Sequence, residues 1–150
     1  MSAPNAFATD CRYPTKFKSM LLTLLKSKIH HATVTGSSLD YEGSLTVSAD
    51  LAELVGLVPY EKILVSNLRN GERFETYAIC GQARQGIIEL NGATAHLGKI
   101  GDRLTIMSFA RYTPQEVATH RPRIVLLNEK NEVIRYDEGG CRGSFKIVGE

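Results

Sequence analysis

The chain has 150 residues, 43% hydrophobic and 23% charged, with a formal net charge of +2. That composition fits one globular domain large enough to bury a core. The near-balanced charge, Lys and Arg scattered rather than striped, and the absence of tryptophan argue against a nucleic-acid partner.

Residues 1–19 are polar, broken by Pro4 and Pro14 and free of periodicity, so they read as a loose extension. Met20-Leu21-Leu22-Thr23-Leu24-Leu25 follows Lys16 and Lys18. It is too short for a signal core and lacks a small-residue cleavage site. No apolar run reaches membrane-spanning length, so no membrane partner is expected. Residues 20–27 and 31–35 are predicted strands, with Thr33, Val34 and Thr35 favouring extended backbone. A short strand follows over 45–48. Ser48 is placed to cap a helix over 49–55 that carries Leu51, Leu54 and Val55 on one face, and Gly56 ends it. Strands over 61–68 and 73–80 pair about the turn signal Asn70-Gly71. Further strands are predicted over 86–90 and 103–109. Thr113-Pro114-Gln115-Glu116 is a capping box with proline at the first helical position, opening a helix to about His120. Residues 123–127 and 132–136 read as a last hairpin, and 137–150 as a mobile, glycine-rich tail. Many short strands with two short helices predict a mainly β fold, closed as a barrel rather than laid out as a parallel α/β sheet.

Cys11, Cys80 and Cys141 are odd in number, far apart and in no Cys-x-x-Cys spacing. They argue against a disulfide framework and a zinc site, and they fit a reducing, cytoplasmic compartment. Cys80 lies in an apolar strand and is expected in the core. His30 and His31 are adjacent, so on a strand they face apart, and no acidic cluster accompanies them; no metal site is expected.

The pair Gly43-Ser44 carries the first chemical signal. Most such pairs are turns or caps. In a tight turn, however, the glycine leaves the preceding carbonyl open to attack by the serine hydroxyl, and it tolerates strained or positive-φ geometry. Attack of Ser44 on the Gly43 carbonyl converts the amide into an ester.

Three runs occur in order: Lys28 to Ser44, then Asn70-Gly71-Glu72-Arg73-Phe74-Glu75-Thr76-Tyr77-Ala78-Ile79, then Asn91-Gly92-Ala93-Thr94-Ala95-His96. Together they resemble the pyruvoyl-dependent aspartate 1-decarboxylases over about residues 20–128. The resemblance implies a barrel domain over 20–128 with 1–19 as an extension to it; beyond it, the residues themselves predict a C-terminal hairpin and flexible tail over 129–150. It implies a six-stranded double-psi β-barrel with short helices, assembled as a homotetramer. It implies self-cleavage between Gly43 and Ser44, with Ser44 becoming a covalent pyruvoyl group that replaces PLP and needs no metal. The implied reaction converts L-aspartate to β-alanine and CO2 for pantothenate and coenzyme A synthesis. Whether cleavage needs a maturation partner stays open.

The resemblance also assigns roles. Ser44 supplies the electron sink. Arg73 takes a substrate carboxylate through its guanidinium fork, and Lys28 takes one as a point charge. Tyr77, protonated at neutral pH, donates a proton to the substrate Cα. Thr76 polarises the Gly43 carbonyl during cleavage, although a regular strand turns Thr76 and Tyr77 to opposite faces. His30 lines the site and Tyr41 positions the turn. Asn91, Gly92 and Ala93 form a loop beside the pyruvoyl, with the Asn91 amide able to serve an oxyanion. Thr94 stands where alanine is common and Ser66 where some members carry tryptophan, so both bear on substrate preference.

Two other readings remain at this point. One is an uncleaved, non-enzymatic barrel that binds a ligand or partner. The other is a serine hydrolase pairing Ser44 with His30 or His96, which lacks a Gly-x-Ser-x-Gly elbow.

Overall fold

The computed structural model describes residues 20–137 and the backbone of 146–147. The expected extension over 1–19 and most of the tail lie outside the described residues. Strands β1 (Leu22–Thr33), β2 (Gly36–Ser38) and β3 (Ser44–Ser48) precede helix α1 (Ala49–Val55). Strands β4 (Lys62–Asn67), β5 (Arg73–Gly81) and β6 (Ile88–Asn91) lead into a 3-10 helix at Gly92–His96. Strand β7 (Arg103–Tyr112), helix α2 (Pro114–Val117) and strands β8 (Arg123–Leu127), β9 (Val133–Asp137) and β10 (Lys146–Ile147) complete the order.

All ten strands join one sheet in the order β10-β9-β8-β1-β7-β4-β5-β3-β6-β2. The fold is mainly β, as expected. Pairing is mostly antiparallel, but β1–β8, β3–β5 and β2–β6 run parallel. Past the end of β1, the Thr35 N–H donates to Ile88 O in β6 at 2.8 Å. That bond draws the β6 end of the sheet back against β1 and curls it, which is consistent with a barrel. Inside the curl lie Ile29, Leu45, Val47, Ile63, Val65, Leu90, Leu104 and Ile106, each worth roughly 1.5–3 kcal/mol of burial.

Several local expectations shift. The two strands predicted over 20–35 are one, because β1 is paired on both sides, with β7 and with β8. The His30-His31 pair does not break it; the register shifts there and His31 sits at φ 63, a bulge. Helix α1 forms as predicted and ends at Gly56 with φ 70, but Ser48 does not cap it through its side chain. Its hydroxyl instead accepts the Ile87 N–H at 2.6 Å and ties α1 to the approach to β6. The β4–β5 hairpin turns through residues 68–72, where Gly71 takes φ 77 and Asn70 Oδ1 accepts the Glu72 N–H at 2.9 Å. The Thr113–Glu116 capping box forms in full. Its helix stops at Val117, short of His120, whose ring packs tilted against Tyr112 at 4.2 Å between centroids and meets Leu25 O at 2.7 Å. The last hairpin forms as β8–β9, and Lys146–Ile147 adds to its edge.

Candidate active site

Residues 39–43 form an exposed turn, and the next residue, Ser44, is 0% exposed. The chain passes from solvent to full burial across the Gly43–Ser44 peptide bond. Strand β3 causes this: Ser-Leu-Thr-Val-Ser is buried along its whole length, between β5 on one side and β6 on the other. Leu45 and Val47 enter the core, while Ser44, Thr46 and Ser48 alternate onto the other face.

That polar face is organised by Asn91, which sits opposite Ser44 in the β3–β6 register. Its Nδ2 donates to Ser44 Oγ at 3.1 Å and to Thr46 Oγ1 at 2.8 Å. The Ser44 hydroxyl in turn donates to Glu42 O at 3.4 Å. Asn91 occupies one lone pair of Ser44 Oγ and leaves the other for attack. Thr94, also buried, donates from Oγ1 toward Asn91 O at 2.9 Å and Ser44 O at 3.2 Å.

The strained glycine of the site is Gly92, not Gly43. Gly92 has φ +63, and a Cβ there would meet Gly43 Cα and Tyr41 O at 2.7 Å each. Gly43 is absent from the positive-φ residues, and a Cβ on it would meet nothing within 4 Å. The special backbone geometry expected at Gly43 is therefore supplied from across the strand pair, where the glycine of the Asn-Gly run lets the turn lie against it. Tyr41 contributes through its carbonyl; its side chain is 54% exposed. Ala93 is exposed in the first turn of the 3-10 helix.

Of the remaining predicted residues, His30, Lys28, Ser66, Arg73 and Tyr77 lie on the outer face of the sheet and Thr76 does not. His30 pairs with Thr105, Thr105 with Ser66, and Ser66 with Arg73, in one row across β1, β7, β4 and β5. Lys28 lies two residues from His30 and Tyr77 four from Arg73, on that same face. Between them Ile29, Ile106 and Val65 turn the other way and are buried. Strand β5 has no bulge against β4: Thr76 pairs with Ile63 on the core side and Tyr77 with Lys62 on the outer side. Thr76 and Tyr77 therefore point to opposite faces, as a regular strand requires. The parallel β3–β5 register, Leu45 opposite Ala78, sets Ser44 level with Tyr77. Tyr77 is half-buried, its ring 6.1 Å from that of Tyr60. Neither Lys28 nor Arg73 makes a salt bridge among the described residues, so both cations are open to an anionic ligand.

His30 shares a hydrogen bond with Thr105 Oγ1 at 3.0 Å. Burial, then the neighbouring His31, Lys28 and Arg103, lower its pKa to about 4. At neutral pH it is an uncharged hydrogen-bonding group rather than a third cation. Ser44 Oγ bonds Glu42 O and Asn91 Nδ2, not His30 or His96, so the pairing that a serine hydrolase reading calls for is not formed here. Among the described residues no cluster of His, Cys, Asp and Glu could hold a metal ion.

Cys80 is exposed rather than in the core. Strand β4 starts at Lys62, opposite Tyr77, so β5 runs past it and Cys80 lies on the overhang. It lines a cleft of about 480 Å³ with Tyr41, Thr46, Glu89 and Asn91. Thr46 was missed by the sequence reading. Its signal was the alternation of hydroxyl and apolar residues through Ser44-Leu45-Thr46-Val47-Ser48.

A sequence profile of the family described as aspartate decarboxylase matches residues 20–134. The aspartate 1-decarboxylase of Desulfotalea psychrophila is 52% identical over 114 residues, covering 76% of this chain and 96% of that one. That of Trichormus variabilis is 48% identical over 122 residues, 79% of this chain and 96% of its own. That of Clostridium acetobutylicum is 44% identical over 127 residues, 83% of this chain and 100% of its own. The matched span contains every residue of the site just described, and the chain belongs to the aspartate decarboxylase family.

Proposed function

We propose that this protein is a self-processing carboxy-lyase that converts L-aspartate to β-alanine and CO2, with a pyruvoyl group made from its own Ser44. The observation that carries the reading is the seat of Ser44: a buried hydroxyl, held by Asn91 Nδ2, directly behind an exposed glycine peptide.

The residues present fit the making of such a group. Attack of Ser44 Oγ on the Gly43 carbonyl closes a five-membered ring. The C–N bond then breaks, the hydroxyl proton passes to the nitrogen, and an ester joins Gly43 to Ser44. Elimination releases Gly43 as a carboxylate and leaves a Cα=Cβ double bond at residue 44. Water then displaces ammonia from Cα to give the ketone. Asn91 orients the nucleophile for the first step, and Thr76 is the residue assigned to polarise the Gly43 carbonyl.

The pyruvoyl ketone supplies a carbonyl that takes the substrate amine and accepts the electron pair freed as CO2 departs. The chain's own residues do the rest. Arg73 and Lys28 hold the two carboxylates of aspartate on the outer face, neutral His30 hydrogen-bonds beside them, and Tyr77 returns a proton to Cα. The loop Asn91-Gly92-Ala93 keeps the turn in place. In this reading the barrel is of the six-stranded double-psi form, a form supported by the parallel pairings β1–β8 and β3–β5. Four copies assemble in the cytoplasm, and the β-alanine feeds pantothenate synthesis.

Ser44→Ala tests the reading. The variant is expected to remain one uncut, folded chain that releases no β-alanine or CO2 from L-aspartate, while the parent chain releases both. Equal release by the two would overturn it.

A further inference from the structure

We propose that the Thr94 hydroxyl is an oxyanion donor to the Ser44 carbonyl during the chain's own cleavage, and that it acts on the elimination step rather than on the acyl shift. This rests on the self-processing reading and adds a residue and a step to it.

Thr94 is 7% exposed, and its Oγ1 lies 2.9 Å from Asn91 O and 3.2 Å from Ser44 O. A hydroxyl has one proton, so it serves one of these carbonyls at a time. The shorter contact marks Asn91 O as its partner at rest. The backbone around it is fixed: Gly92 is wedged against Gly43 at φ +63, and the Leu97 N–H closes the 3-10 turn on Thr94 O at 2.9 Å. Moving the proton from one carbonyl to the other needs only a rotation about the Cβ–Oγ bond.

The two chemical steps load charge on different oxygens. The acyl shift puts it on the Gly43 oxygen. Elimination takes the Ser44 Cα proton to water. The Cα–H electron pair forms the Cα=Cβ bond, Cβ–Oγ breaks, and Gly43 leaves as a carboxylate. The carbonyl conjugated with Ser44 Cα is that of Ser44 itself, so charge builds on Ser44 O on the way. A donor already 3.2 Å away strengthens as that charge appears. Such an interaction speeds a step because it is stronger in the transition state than before it. Asn91 and Thr94 thus divide the work: the amide holds the nucleophile, and the hydroxyl serves the elimination.

The test follows cleavage of freshly purified full-length protein by denatured mass, with and without hydroxylamine, which splits the ester but spares the amide. Thr94→Val removes the hydroxyl at nearly constant shape, and Thr94→Ser restores it. Loss of one oxyanion donor slows a reaction by up to 10²–10³-fold. With a donor shared between two carbonyls we expect about a tenfold slowing in Thr94→Val, with a larger hydroxylamine-sensitive share of uncut chain, and recovery in Thr94→Ser. Thr94→Ala carries the same comparison if the valine variant does not fold. Cleavage of the valine or alanine variant at the parent rate overturns the proposal. So does slowing without a rise in the hydroxylamine-sensitive share, because the hydroxyl would then serve the acyl shift or only the packing. A parent chain that never cleaves overturns the self-processing reading, and this proposal with it.

Discussion

At Ser44 a single peptide bond separates an exposed turn from full burial, and its hydroxyl and carbonyl both have partners. Asn91 holds the hydroxyl, Thr94 faces the carbonyl, and Glu42 O takes the hydroxyl proton. Ser44, Asn91 and Gly92 could be picked out from the residues because a serine behind a glycine and an Asn-Gly pair are local signals. The alternation through 44–48 marks Thr46 as sharing a face with Ser44, but its bond to Asn91 and that of Thr94 to Ser44 O are not legible, since those contacts join residues 45 and 50 positions apart. His30 carries a residue-scale prediction. Its pKa is about 4 in the folded chain against 6.5 for the free side chain. Above pH 6.5 it is neutral in both states and carries no proton-linked penalty. As pH falls through that value toward about 4, the unfolded chain takes the proton first and the folded chain loses stability. His31 is lowered in the same sense, by burial and then by Arg103 and Lys28. His30→Gln is therefore expected to reduce the loss in urea midpoint between neutral and mildly acidic pH. An unchanged slope would show that His30 does not hold back its proton.

At the scale of elements, the site depends on how two short segments meet. The 3-10 helix begins at Gly92 because only a residue without Cβ can take φ +63 while Gly43 and Tyr41 lie so close. Gly92→Ala adds a left-handed penalty of about 1–2 kcal/mol and a Cβ that must push the Gly43 turn away. We expect a lowered melting temperature and markedly slower cleavage at Gly43–Ser44, followed by scanning calorimetry and denatured mass. Parent-like values of both would refute the close approach. Legibility differs among the elements for physical reasons. Helix α1 and the α2 capping box follow from local rules and were readable. The sequence pattern leaves a gap at Lys28-Ile29-His30 between two predicted strands; pairing of that stretch with both β7 and β8, and a bulge at His31, make it one strand. Cys80 was misplaced because burial at a strand's end depends on how far its neighbour runs, and β4 starts too late to cover it.

For the whole molecule, the mainly β class could be read from strand spacing. The sheet order could not, because it rests on pairings such as β1–β8 and β3–β6 between distant segments. The row His30–Thr105–Ser66–Arg73 exists only once four strands are in register. One side chain holds much of this together. Asn131, 4% exposed at φ 59, accepts the Thr33 N–H and donates to Thr33 O and Gly86 O, so it ties the β8–β9 turn to the end of β1 and the approach to β6. Nothing local in the sequence marked it. Asn131→Ala strands these backbone groups and is expected to cost about 2–4 kcal/mol in urea unfolding; a change under about 0.5 kcal/mol would place the tie elsewhere.

The central claim is that Ser44 becomes the reactive carbonyl. Its most direct test is the denatured mass spectrum of the purified protein before and after phenylhydrazine. Two fragments divided between Gly43 and Ser44, with the adduct on the C-terminal fragment alone, are the predicted result. A single intact chain that persists through prolonged warm incubation and takes up no reagent would contradict it.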